Sequence, residues 1–132
     1  MKISASIHSK FNQNKTFVQT NRSAKEMHID PKPSGFGSSI NGGELLLLSL
    51  ATCFCNDIYR EGAKRNINIT SVEVEVTGDF GVEGEPGTDF KYKANITSDS
   101  SASDIKDLIN YTDKVAEVHN TLRKGLNITL IK

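Results

Sequence analysis

The amino-acid sequence predicts an α+β fold. Three observations carry the prediction. The N-terminal third holds short alternations of apolar and polar residues. A leucine-rich stretch after Glu44 is apolar almost all the way round a helix. A second pair of alternating runs is followed by apolar residues at helical spacing. The order is three strands, a helix, two strands, helices and a closing strand, with strands and helices segregated along the chain.

In residues 2–30, Ile3, Ala5 and Ile7 alternate with polar neighbours. Ser9 to Lys15 is polar and turn-like, and a second strand covers Thr16 to Thr20. Glu26 to Asp30 places Met27 and Ile29 on one face and His28 on the other, which completes a β-meander. Residues 31–43 carry Pro31, Pro33, Gly35, Gly37, Gly42 and Gly43, a content that excludes regular structure. A connector of this length is often functional.

Residues 44–65 predict the strongest helix, with Glu44 in the first turn where the dipole favours negative charge. From Leu45 to Cys55 it has no polar face, and it becomes polar only from Asn56. Such a helix must be covered on nearly every side. A meander and one further helix barely suffice in a chain this small, whereas a second copy supplies the cover. The reading is an intimate homodimer; a monomer covered by its own sheet and second helix is the alternative.

Residues 67–97 predict a long β-hairpin. Val72, Val74 and Val76 alternate with Glu73, Glu75 and Thr77; Phe90, Tyr92, Ala94 and Ile96 alternate with Lys91, Lys93 and Asn95. Antiparallel pairing lets the glutamates face the lysines on the wet side. A glycine-rich tip, Gly78 to Thr88, joins the strands. Ser101 to Lys124 is helical, in one piece or two, with Ser103 as N-cap and Gly125 as terminator. Leu126 to Lys132 predicts the closing strand.

Composition narrows function. A chain of 132 residues is a single domain, 1–132, or half of an obligate dimer. Lys+Arg and Asp+Glu are both 16, so there is no bulk positive field for a general nucleic-acid binder. The longest apolar run, Leu45 to Leu48, is far short of a membrane span. The first residues show no signal-peptide pattern, and two cysteines make no disulfide framework, which points to a reducing cytoplasm.

Cys53 and Cys55 are the candidates for chemistry. Two residues apart on a helix, they differ by about 200° in direction, so a disulfide between them requires unwinding. Cys-x-Cys with no further Cys or nearby His is a poor zinc signal, and no metal is expected. Two readings stay open: a pair of buried thiols acting as small hydrophobes, or one reactive thiolate that needs a neighbouring positive charge or strong donor. His8, His28 and His119 are scattered and read as surface or sheet residues. No phosphate loop or dinucleotide fingerprint occurs, and no cofactor is expected.

The stretch Gly43-Glu44-Leu45-Leu46-Leu47-Leu48-Ser49-Leu50-Ala51-Thr52-Cys53 resembles the signature of the OsmC/Ohr family. The resemblance extends over the element order of the whole chain, and the Glu-to-Cys spacing is closest to a divergent OsmC-like branch. It implies an intertwined homodimer with long central helices and sheets outside. It also implies thiol-dependent reduction of organic hydroperoxides, with Cys53 as the peroxidatic cysteine that becomes a sulfenic acid. Glu44 is the acid that the resemblance assigns to the site.

Two departures bear on this. Where the family keeps a second cysteine, the later motif reads Ala116-Glu117-Val118-His119-Asn120-Thr121-Leu122. An external thiol reductant is then required. The peroxidase members place their Glu ten residues before the cysteine, where this chain has Gly43; Glu44 is nine before. Along one helix Glu44 and Cys53 are roughly 14 Å apart on opposite sides, so a shared site needs one of them from the partner chain. The implied partners are a second copy, an apolar hydroperoxide and a small thiol, with no nucleic acid and no membrane. The other reading is a non-catalytic dimer that binds a small hydrophobic ligand.

Overall fold

The computed structural model describes residues 1–132, which divide into two compact units, Met1–Leu45 and Leu46–Lys132. The first unit is an antiparallel meander of β1 (Ile3–Lys10), β2 (Gln13–Thr20) and β3 (Ser23–Met27) in that order. Two-residue turns set the register: Lys10 pairs with Gln13 and Thr20 with Ser23. Asn12 and Asn21 take φ of 58° and 52° in these turns, a left-handed conformation that Asn tolerates better than most residues. The turn expected over Ser9 to Lys15 is therefore only Phe11-Asn12. The third strand, expected over Glu26 to Asp30, starts earlier because the Asn21 turn sends the chain straight back. Neither turn is an Asn-Gly pair, so the strongest hairpin signal is missing from the sequence.

The connector after β3 folds onto the first hairpin. Asn12 N–H donates to the Gly35 carbonyl at 2.7 Å, and Asn14 Nδ2 donates to the carbonyls of Ile29 and Gly37 at 3.2 and 2.8 Å. Gly35 needs to be glycine twice over. Its φ is 90°, and a Cβ there would lie 2.4 Å from the Phe11 ring.

Helix α1 (Gly42–Lys64) opens on a capping box. Glu44 N–H donates to Asn41 Oδ1 at 2.8 Å, and Asn41 N–H donates to Glu44 Oε1 at 3.1 Å. In the second unit the helix buries one stripe, Leu50, Phe54, Asp57, Ile58, Glu61 and Gly62, at the i, i+4 spacing of a single face. That stripe packs on the hairpin β4 (Ile69–Asp79) and β5 (Thr88–Ser98). Val72, Val74 and Val76 are half-buried and their glutamate neighbours exposed, as period 2 requires. On the wet face Glu75 pairs with Lys93 at 2.8 Å.

Helix α2 (Ala102–Val115) is capped by Ser101, whose Oγ accepts from Asp104 N–H at 3.1 Å; the cap expected at Ser103 falls two residues earlier. Ala116 takes an extended conformation, and α3 (Glu117–Lys124) begins after it. Phe54, Ile58, Leu108 and Ala116 form the fully buried core. Burial of each large side chain contributes about 1.5–3 kcal/mol.

One expectation is corrected. Residues 126–132 form no strand, and Ile128 is 98% exposed. A strand exists only through its ladder, and nothing in the chain pairs with this tail. Within one chain the leucine-rich helix keeps an uncovered side, with Leu48 54% exposed. No helix is long and apolar enough to cross a membrane.

Candidate active site around Cys53

Cys53 lies on α1 beside the buried stripe and is half-buried. One helical turn later on the same helix stands Asp57, and the thiol donates to Asp57 Oδ2 at 3.6 Å. The break at Ala116 starts α3 at this point, which brings the Val118 backbone N–H against the sulfur and Glu117 beside it. The Cys53 sulfur and carboxylate oxygens of Asp57 and Glu117 all lie within 4.8 Å of one another.

Arg60 ties this corner together. Its Nη1 reaches Asp57 Oδ1 at 2.8 Å and Glu117 Oε1 at 3.4 Å, and its Nε donates to Glu61 Oε1 at 2.8 Å. Lys64 adds a second cation on Glu61 at 3.0 Å. Hydrogen bonds from Arg60 and Lys64 hold the Glu61 carboxyl below the usual range. Asp57 is pushed up instead: burial outweighs the pull of Arg60, and the Glu117 charge adds to it. The Cys53 thiol is pushed up by burial. The Val118 N–H opposes this, and the charges of Asp57 and Glu117 reinforce it. Cys53, Asp57 and Glu117 could offer one ligand atom each to a cation, and Arg60 already contacts both carboxylates.

Next to this corner is an aromatic wall. His119 is 4% exposed, its ring centroid 4.7 Å from Tyr92 and 5.6 Å from Phe54. Neither imidazole nitrogen has a hydrogen-bond partner. Tyr92 OH donates to Asp113 Oδ1, which also accepts from Arg123 Nη2 at 2.6 Å. A cleft of about 220 Å³ opens here, lined mainly by apolar and aromatic side chains of Leu50, Val76, Phe90 and Tyr92, together with Lys91 and Arg123.

Of the residues the sequence nominated, Cys53 is at the centre of this arrangement. Cys55, two residues on, takes no part in it. Glu44 is exposed in the first turn of α1 and spends its carboxylate on the capping box. Asp57, Arg60 and Glu117 were missed. Asp57 and Arg60 fall in the stretch that turns polar from Asn56 and Glu117 in the later motif, although the Cys-x-x-x-Asp spacing that stacks thiol and carboxyl on one helix face was available as a signal. His119, read as a surface or sheet residue, is buried on α3.

The fold matches solved structures over most of their length. An OsmC-like protein from Mycoplasma pneumoniae superimposes with a TM-score of 0.64 at 21% identity, covering 92% of this chain and 86% of the other. An organic hydroperoxide resistance protein OsmC from Legionella pneumophila gives 0.57 at 20% identity, covering 93% and 90%. An organic hydroperoxide resistance protein from Elizabethkingia anophelis gives 0.60 at 18% identity, covering 91% and 86%. No curated protein matches the sequence. The model of the family described as OsmC-like protein matches residues 35–131, a span that takes in the helix of Cys53, the hairpin behind it and the break at Ala116; the chain belongs to the OsmC-like family.

Proposed function

We propose that the protein is a homodimeric, thiol-dependent reductase of organic hydroperoxides, acting in the cytoplasm with Cys53 as nucleophile and an external thiol as reductant. One observation carries this reading: the Cys53 sulfur is half-buried beside the Val118 backbone N–H at the start of α3. A helix N-terminus carries partial positive charge and stabilises a thiolate or sulfenate as it forms. The names of the Legionella and Elizabethkingia structures, both organic hydroperoxide resistance proteins, support the substrate class. The apolar cleft beside His119 suits a hydrocarbon substituent. Ala116, buried where the family keeps a second cysteine, leaves the resolving thiol to come from outside. In the dimer, Glu44 would enter the site from the partner chain, with the exposed Leu48 of α1 at the interface.

The measurement is consumption of cumene hydroperoxide in the presence of dithiothreitol. Cys53→Ser abolishes it, and Cys55→Ser retains it. Equal rates in the two variants exclude the mechanism. A second reading, a dimer that binds a small apolar ligand without turnover, is favoured by burial pushing the same thiol up. Wild-type protein that leaves the hydroperoxide untouched, while an apolar fluorophore saturates the cleft, selects that reading.

A further inference from the structure

We propose that Asp57 and Glu117, bridged by Arg60, act as one proton-holding pair for Cys53: it takes the thiol proton as sulfur attacks and returns it to the departing alkoxide. The proposal rests on the hydroperoxide-reducing reading above and adds its acid–base partners.

The argument begins with charge. Three carboxyl groups, Asp57, Glu61 and Glu117, gather around two cations, Arg60 and Lys64. Glu61 contacts both cations and is satisfied. Asp57 and Glu117 share what remains of Arg60, through the single nitrogen Nη1. Two neighbouring carboxylates sharing one positive charge leave room for one proton between them. The thiol is the adjacent source of that proton, at 3.6 Å from Asp57 Oδ2.

The location fits the bond changes. Sulfur attacks the terminal oxygen of the hydroperoxide; an S–O bond forms and the O–O bond breaks. Sulfur is oxidised by two electrons to the sulfenic acid, and the hydroperoxide is reduced to an alcohol. The thiol proton passes to the pair and then to the alkoxide, so thiol plus hydroperoxide gives sulfenic acid plus alcohol. An alkoxide expelled without an acid nearby is a poor leaving group, and a positioned acid–base group typically contributes at least about a hundredfold. Asp57 is fixed for this task by the helix it shares with Cys53, and Glu117 by the break at Ala116.

The test uses the full chain carrying Cys55→Ser, so that only one thiol reports. Two rates are read: alkylation of Cys53 by iodoacetamide at neutral pH, and consumption of cumene hydroperoxide with dithiothreitol. Asp57→Asn removes a negative charge beside the sulfur, so alkylation speeds up; it also removes the proton carrier, so peroxide consumption falls about a hundredfold. Glu117→Gln, at an exposed position that leaves folding intact, shows the same opposed changes at about tenfold. A structural role slows both rates together, and simple suppression of the thiol speeds both. Either parallel change overturns the pair. Wild-type protein inert toward hydroperoxide, with Cys53 unoxidised, overturns the underlying reading instead.

Discussion

His119 is a buried imidazole with neither nitrogen hydrogen-bonded, packed at a tilt against both Phe54 and Tyr92. Burial pushes its pKa down, the Arg123 charge pushes the same way, and Asp113 opposes them. The folded chain therefore holds a neutral ring, while the unfolded chain protonates near pH 6.5. As pH falls below that value the unfolded state binds more protons, and stability is lost until the pH reaches the lower folded pKa. His119→Phe keeps an aromatic ring in the cluster and removes the proton site. Its melting temperature should be flat between pH 7.5 and 5.5, where that of the wild type declines; parallel slopes would remove His119 as the cause. At this scale the sequence was only partly legible. Cys53 stood out through the family signature, whereas the burial of His119 depends on the break at Ala116 just before it, which no local pattern announces.

At the scale of elements, the meander, the long helix and the hairpin were legible because period-2 and helical alternation report which face is buried. Boundaries were less so. The start of α1 lies within a glycine pair that reads as connector, yet Asn41-x-x-Glu44 is the spacing of a capping box and fixes the helix start at Gly42. Asn41→Ala removes the acceptor for Glu44 N–H and should cost about 1 kcal/mol in urea denaturation, with an unchanged m-value. No loss would show that α1 is held by packing alone. Glu44 has this structural duty whatever else it does, so a loss of activity in Glu44→Gln must be read beside its stability. The tail was misread because alternation alone does not make a strand; a free edge must also be within reach.

At the scale of the molecule, apolar surface is left over in both units. Ile3, Ile7 and Met27 are exposed in the first, and Leu48, Leu126, Ile128 and Ile131 in the second. A soluble chain rarely leaves so many large side chains open without a partner surface. Sedimentation equilibrium at micromolar concentration should give twice the chain mass. Leu48→Glu should shift the distribution toward the single chain while circular dichroism is retained. A well-folded wild-type monomer would remove both the dimer and the route by which Glu44 reaches the site.

The methyl group at the Ala116 break has one more consequence. On the proposed chemistry an oxidised Cys53 would find no second cysteine at residue 116 to resolve it. The lifetime of that state would then be dictated by whatever small thiols diffuse past, not by the architecture around it. Such a molecule would behave less like a self-resetting catalyst than like a switch that keeps its last encounter until the surroundings wipe it clean.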